Sequence, residues 1–170
     1  QKKKKLKGHL SSVLFQQINE TLENKQQVIL FQNRRGYAPY IECDSCGWIP
    51  KCKHCDICLT YHKYSHKLVC HYCGYKLVVP VKCNSCGNTG LKMKGFGTEK
   101  IEDDLQLLYP GRSIIRMDLD TTRTRKAFQK MISAFETGDA EILVGTQMVT
   151  KGLDFEKVKL VGILNADQML

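Results

Sequence analysis

Four pairs of cysteines, each with two residues between its members, constrain this chain more than any other feature. Eight of the nine cysteines form these pairs, which are Cys43/Cys46, Cys52/Cys55, Cys70/Cys73 and Cys83/Cys86. Zn²⁺ takes four soft or borderline ligands at tetrahedral corners, and a tight turn between two such cysteines supplies two corners. The pattern therefore predicts two Cys₄ zinc sites. It disfavours a disulfide framework, and it disfavours a redox role for one pair because the other three would then have no purpose.

The spacing also indicates which two cysteine pairs share one zinc ion. Fourteen residues separate Cys55 from Cys70, a usual distance between two halves of a Cys₄ site. The two outer pairs have nearly the same sequence, Cys-Asp-Ser-Cys-Gly and Cys-Asn-Ser-Cys-Gly. We therefore expect a nested arrangement: an outer site of Cys43, Cys46, Cys83 and Cys86, and an inner site of Cys52, Cys55, Cys70 and Cys73. A cross-braced arrangement stays open, and so does a ligand role for Cys58 in place of Cys52.

The charge of the cysteine-rich stretch leaves two interpretations open. The formal net charge of the chain is +9, and it becomes about +5 once eight thiolates and two Zn²⁺ are counted. From Cys43 to Lys94 there are eight lysines, no arginine and two acids. Lysine is a point charge suited to phosphate, whereas base reading relies on arginine. The lysines either contact nucleic-acid phosphates or only solvate a small module.

The rest of the chain alternates helices with strands. Val13, Leu14, Ile18 and Leu22 have the spacing of one helix face after an N-cap at Ser11 or Ser12. Strands are predicted at 28–31, 114–118, 141–145 and 159–165, and helices at 98–108 and about 125–136. This order predicts the α/β class with a parallel sheet and flanking helices. The cysteine-rich module interrupts that domain, so we expect boundaries at 1–40, 41–94 and 95–170.

The ends of the predicted strands supply further candidates. Arg34 and Arg35 follow the first strand at its carboxyl end, where open α/β sheets place ligand-binding loops, and we take them as DNA-binding candidates. The chain ends directly after a strand, which leads us to expect part of a longer protein. No apolar run reaches the eighteen residues of a membrane span. We expect a soluble, cytoplasmic protein that has no membrane partner.

Several motifs resemble those of superfamily 2 helicases. The segment LVGTQMVTKGLDF from Leu143, preceded by FETG from Phe135, is similar to motif V of their second RecA-like lobe. Three further segments carry the resemblance: NRRGYAP from Asn33, GFGTE from Gly95 and RMDLDTT from Arg116. With the paired cysteines between the first two of these three segments, the set resembles the bacterial replication-restart helicases from about residue 28 to 167. Leu153 departs from that family, which often has histidine at this position.

The resemblance implies a lobe of an ATP-dependent 3′→5′ DNA helicase that recognises stalled forks. Its implied partners are DNA (stalled forks and single strands), primosome proteins and single-strand-binding proteins, and its implied cofactors are two Zn²⁺ in the nested arrangement. Thr146 and Gln147 match positions that grip the phosphate backbone of the tracked strand. Gly152 and Asp154 match positions that link this grip to the nucleotide pocket.

The residues that hydrolyse ATP are not expected in this chain. It contains no Gly-x-x-x-x-Gly-Lys-Ser/Thr loop, the element that cradles phosphates in such motors. In the family this loop lies on the first lobe, so ATP and Mg²⁺ are expected cofactors of the full-length enzyme. The chain alone is expected to be inactive. The alternative is a stand-alone zinc-binding module that docks nucleic acid or protein without a motor; motif V favours the helicase.

Overall fold

A computed structural model describes residues 6–7, 9–150 and 154–164 of the chain. They fall into two compact units. The sheet unit comprises Gln1–Asn33 and Ile101–Leu170, and the cysteine unit comprises Arg34–Lys100. In chain order the elements are β1 (Leu6–Lys7), β2 (Leu10–Ser11), α1 (Ser12–Glu23), β3 (Gln27–Phe31), β4 (Tyr40–Cys43), β5 (Thr60–His62), β6 (Lys67–Val69), β7 (Lys76–Val78), β8 (Leu91–Lys94), α2 (Thr98–Leu108), β9 (Ile114–Met117), α3 (Arg125–Thr137), β10 (Ile142–Gly145), a 3₁₀ turn (Gln147–Thr150) and β11 (Val158–Ile163).

The sheet unit contains a four-stranded parallel sheet in the order β11-β3-β10-β9. Ile29 of β3 is in register with Leu143 of β10 on one side and with Val161 of β11 on the other. All five residues of β3 are buried, as a continuous apolar run predicts for a central strand. The predicted α/β class with a parallel sheet is confirmed.

Helix α1 begins where its N-cap was expected. The Ser11 hydroxyl accepts a hydrogen bond from the backbone N–H of Leu14 at 3.2 Å, and Ile18 and Leu22 are buried. Val13 was grouped with this face but is 70% exposed. Each helical residue is rotated by about 100°, so Val13 lies about 140° around the helix from Ile18. The expectation for this one residue is wrong.

Helix α3 covers one face of the sheet. The Thr124 hydroxyl caps its first turn, and Gly138 ends it with φ +92°, a conformation that costs glycine little. Phe135 is fully buried and meets the ring of Phe155 edge-on at a centroid distance of 4.8 Å. These rings pack in a cluster with Ile29, Phe31, Met117, Ala140, Leu143 and Val149. Among the described residues, no helix has both the length and the apolarity to cross a bilayer.

The cysteine unit consists of short antiparallel strands. Its base is the β4–β8 pair, in which Tyr40 is opposite Lys94 and Cys43 is opposite Leu91. A second sheet has the order β5-β6-β7. Its core contains Ala38, Ile41, Leu59, Tyr61, Leu68 and two of the cysteines.

The two segments that enter and leave the cysteine unit lie against each other. A Cβ on Gly95 would be 3.0 Å from the Pro39 ring, and a Cβ on Gly97 would be 2.2 Å from the carbonyl oxygen of Gly36. Glycine at position 97 is therefore required by close backbone packing. The insertion begins and ends at one place, so that the chain can resume the sheet unit after it.

Candidate metal centres

All four cysteine pairs form the same backbone turn, which we call a knuckle. In each, the N–H of the first cysteine donates to the carbonyl five residues later, over 2.7–2.9 Å. The N–H of the residue after the second cysteine donates back to the carbonyl of the first cysteine, over 2.8–3.2 Å. Both sulfurs of a pair are thereby held on one side of a closed turn. The four acceptor carbonyls are those of Trp48, Ile57, Tyr75 and Asn88.

In each knuckle the residue after the second cysteine has a left-handed backbone conformation, with positive φ. Gly47, Gly74 and Gly87 supply it with φ between +70° and +75°. In the fourth knuckle the position is taken by Asp56 with φ +49°, and aspartate is one of the few other residues that tolerate this region. In the sequence a glycine follows three of the four pairs, but nothing there indicates that Asp56 has the same backbone role.

The outer cluster brings together the first and last knuckles. The four Sγ atoms of Cys43, Cys46, Cys83 and Cys86 lie within 4.8 Å of one another. The distance is 3.7 Å from Cys43 to Cys86 and 3.6 Å from Cys46 to Cys83. Thiolates bound tetrahedrally at about 2.3 Å from zinc are about 3.8 Å apart. The cluster thus has nearly the dimensions of a Cys₄ zinc site.

The inner cluster combines the second and third knuckles. The Sγ atoms of Cys52, Cys55, Cys70 and Cys73 also lie within 4.8 Å of one another, and those of Cys52 and Cys73 are 3.5 Å apart. The pairs are therefore grouped in the nested way and not cross-braced. Cys58 belongs to neither cluster; it is exposed and lies opposite Lys51 in an isolated β-bridge.

Backbone hydrogen bonds and neighbouring thiols lower the pKa of some cysteines and raise the pKa of others. The backbone N–H of Cys73 donates to the sulfur of Cys70 and lowers the Cys70 pKa to about 7. Burial raises the pKa of Cys83, but the N–H groups of its knuckle outweigh burial and lower the pKa to about 7. The hydrogen bond with Cys73, followed by burial, raises the pKa of Cys55 to about 12. Each cluster thus contains a thiol whose pKa is lowered to about 7, Cys70 or Cys83, and a thiol whose pKa is raised, Cys55 or Cys86, from which metal binding must displace a proton.

The arginines expected to contact DNA lie on a loop with a fixed backbone. Arg34 is exposed and Arg35 is half-buried. The carbonyl of Arg34 accepts from the N–H of Thr98 at 3.0 Å, and that of Gly36 accepts from the N–H of Glu99 at 3.1 Å. The first N–H groups of α2 are therefore used within the chain, while the Arg34 side chain stays accessible.

Thr146 and Gln147 follow the carboxyl end of β10. The N–H of Thr146 donates to the carbonyl of Met117 at 3.3 Å, and the Thr146 carbonyl accepts from Val149 at 3.0 Å. A Cβ on Gly145 would be 2.3 Å from Val149, so this tight exit from β10 requires glycine. Gln147 is exposed, and Thr146 is half-buried.

Asp154, one of the two residues assigned to nucleotide coupling, is not brought together with Thr146. Asp154 is exposed and lines a pocket of about 250 Å³ with Gln27, the first residue of β3. Asp154 therefore lies near the amino end of the parallel sheet, whereas Thr146 lies at the carboxyl end. Gly152 and Leu153 are outside the described residues. The coupling role of Gly152 and Asp154 stays a prediction.

The RMDLDTT segment has a structural role at the end of β9. The Asp118 side chain is fully buried, and its Oδ1 accepts from the N–H groups of Asp120 at 3.0 Å and Thr121 at 3.1 Å. The Thr122 hydroxyl donates to the Asp118 carbonyl at 2.6 Å. Asp118 thus holds the turn that follows β9, and its Oδ2 lies 3.4 Å from the Arg116 guanidinium.

Comparison with known proteins identifies relatives over almost the whole chain. The family model described as the PriA DNA helicase Cys-rich region (CRR) domain matches residues 52–77, which include the whole inner cluster. Replication restart protein PriA of Bacillus subtilis is 46% identical over 157 residues, which are 92% of this chain and 20% of that protein. The proteins of the same name from Haemophilus influenzae and Chlamydia pneumoniae are 40% and 42% identical over 99% of this chain and 23% of each protein. The chain thus spans about a fifth of the length of these relatives.

Proposed function

Since the chain belongs to the PriA family over the segment that it shares with these relatives, we propose that it is part of an ATP-dependent 3′→5′ DNA helicase. The helicase restarts stalled replication forks and assembles the primosome in the cytoplasm. Residues 1–40 and 95–170 contribute to its second RecA-like lobe, and residues 41–94 form an inserted zinc module. One observation carries the proposal: two nested Cys₄ clusters sit on an insertion that leaves the sheet after β3 and returns at α2.

The eight paired cysteines hold two Zn²⁺ ions in this proposal. Support comes from the Sγ separations of 3.5–3.7 Å, which suit tetrahedral thiolate coordination. Zn²⁺ would supply no redox chemistry here; the cysteines of each cluster would hold one ion, which would tie two knuckles together. Because the strands of the cysteine unit are only three or four residues long, metal binding would supply much of its folding free energy.

Contacts to DNA are proposed separately for the loop that follows β3 and for the loop that follows β10. Arg34 and Arg35 provide positive charge, and the Thr146 hydroxyl and the Gln147 amide provide hydrogen-bond donors for backbone phosphates. The exposure of Arg34 and Gln147 supports this role. The ATP phosphates and Mg²⁺ bind elsewhere in the full-length enzyme, and Gly152 and Asp154 take part in coupling. Primosome and single-strand-binding proteins are the further partners.

The test uses the full-length protein on forked DNA with a 3′ single-stranded tail. We expect ATP-dependent unwinding, and we expect Thr146→Ala to weaken single-strand affinity about fivefold, the effect of losing one hydrogen bond of about 1 kcal/mol. Thr137→Ala is the matched control because, among the residues that the structure describes, its hydroxyl bonds at the end of α3 and to Asp139. Absence of ATP-dependent unwinding would refute the proposal.

The cysteine unit has its own hydrophobic core, which favours a second candidate function, a docking module without a motor. The variant Cys70→Ser separates the two. In a helicase with a dedicated zinc module, Cys70→Ser should impair unwinding or primosome assembly while most single-strand-stimulated ATPase remains. Equal loss of all three activities indicates that the module only stiffens the lobe. DNA or partner binding in a protein that lacks ATPase supports the docking module.

A further inference from the structure

Three side chains of the cysteine unit form a line that neither Cys₄ cluster uses. His62 ends β5, Glu99 lies in the first turn of α2, and His71 lies within the third knuckle, between Cys70 and Cys73. The Nδ1 of His62 is 2.8 Å from Oε1 of Glu99, and the Nε2 of His62 is 3.2 Å from the Nε2 of His71. The His62 and Glu99 side chains are 10% and 12% exposed, so both are held by their surroundings.

The carboxylate determines which nitrogen of His62 carries its proton. An ionised carboxylate only accepts hydrogen bonds, so Nδ1 of His62 must be the protonated nitrogen. Glu99 is itself fixed, because its Oε2 accepts from the backbone N–H of Lys63 at 3.1 Å. In the neutral ring, Nε2 then presents a lone pair towards His71. This is the arrangement of metal-binding histidines, which almost always donate their second ring N–H to a carboxylate or carbonyl.

The distance between the two Nε2 atoms suits a shared cation. Two nitrogens bound tetrahedrally at about 2.0 Å from zinc are separated by about 3.3 Å. The observed 3.2 Å is close to this value, and the two rings converge with centroids 5.0 Å apart and planes inclined at 67°. The same distance would also suit a proton shared between the rings, so the decisive observation is metal binding itself.

We propose that His62 and His71 form a third metal site, with Glu99 as the residue that orients His62. Imidazole nitrogens favour zinc and related divalent ions such as nickel and cobalt. Water or an external oxygen ligand would complete the coordination. The ion would join the end of β5 to the knuckle that carries Cys70, close to the start of α2. The site is independent of the replication role proposed above, and no cysteine takes part in it.

The test is a zinc titration of the full-length protein after both Cys₄ sites have been filled. The wild type should bind one further equivalent that His62→Gln and His71→Gln both lose, while each variant retains two zinc ions. Glu99→Gln should weaken the third site about ten- to a hundredfold, as loss of an orienting carboxylate does. His54→Gln is the matched control: this histidine also lies within a knuckle, but its ring packs edge-on against Tyr75.

Cobalt provides a second measurement in case a histidine variant disturbs the knuckle. Co²⁺ added to the two-zinc wild type should give a paramagnetically shifted, exchangeable ring N–H signal from Nδ1 of His62, and no thiolate-to-metal charge-transfer band. The proposal is overturned if no further equivalent binds, if that equivalent persists in both histidine variants, or if the added cobalt shows thiolate ligation.

Discussion

The left-handed residue of each knuckle offers a sharp test of how backbone conformation contributes to metal binding. Gly74 of the third knuckle, which belongs to the inner cluster, has φ +75°, and a Cβ built on it would meet no atom within 4 Å. Gly74→Ala therefore changes the backbone preference and nothing else nearby. An L-residue in this region costs roughly 1–2 kcal/mol, and alanine recovers about 0.4–1 kcal/mol by restricting the unfolded chain. The net cost is about 1 kcal/mol.

Because folding of a small zinc module is coupled to metal binding, this cost should appear in the zinc affinity. A loss of about 1 kcal/mol corresponds to about a fivefold weaker inner site. Gly74→Asn should lose much less, because a short polar side chain tolerates this conformation, as Asp56 does at φ +49° in the neighbouring knuckle. Competition with a chromophoric chelator resolves the two zinc ions and measures both affinities.

The outer site provides the matched control. Gly87 has φ +74° and equally open surroundings, so Gly87→Ala should weaken the outer ion and spare the inner one. The reasoning fails if Gly74→Ala and Gly74→Asn weaken zinc binding equally. It also fails if either alanine variant affects both sites to the same extent, because the effect would then not be local to one knuckle.

Further predictions concern metal count and buried polar groups. Cys58→Ser should leave two zinc ions per chain by elemental analysis, whereas Cys52→Ser should lower the count; a loss with Cys58→Ser would contradict the nested assignment. Tyr109→Phe should raise the free energy of unfolding in urea by up to about 1 kcal/mol. The buried Tyr109 hydroxyl has no hydrogen-bond partner in the described chain, and burial raises its pKa to about 12. A clear loss of stability would show that the hydroxyl has a partner. Gln27→Leu should cost about 2–4 kcal/mol, since the buried Gln27 amide donates to two carbonyls near the end of α3 at 2.6 and 2.7 Å, and a change below 1 kcal/mol would refute this role.

Local patterns in the sequence predicted the three helices and the four strands of the parallel sheet, since their signals are local in physical terms. They did not predict the short strands of the cysteine unit or the β1–β2 pair. Continuous apolar runs marked the buried strands, and of the two expected N-caps of α1, Ser11 and Ser12, the structure has Ser11. The nested grouping of the cysteines also followed from spacing, because a knuckle is a local turn and few pairings suit the chain lengths between knuckles. The ligand roles themselves stay a prediction that metal analysis must test.

Contacts between distant residues were not predictable in this way. Glu99 lies in the first turn of α2, where a negative charge is favourable, but its carboxylate contacts His62, 37 residues earlier. Only the three-dimensional packing of β5 against the start of α2 produces that contact. Asp154 is a related case: it lies beside Gln27 at the amino end of the sheet, although Thr146 of the same motif follows the carboxyl end of β10, and the sequence does not reveal this separation.

The energetics of the two units explain how such an insertion is tolerated. The sheet unit contains continuous buried strands and a packed cluster around Phe135, so its folding rests on apolar burial. The cysteine unit has its own core, but its strands are only three or four residues long. A structural zinc ion contributes about 10–16 kcal/mol of folding free energy at neutral pH, which matches or exceeds the net stability of a typical domain. Two such ions would allow this unit to keep exposed aromatic residues such as Tyr64 and Tyr72, which are 98% and 85% exposed, because its stability would not depend on burying them.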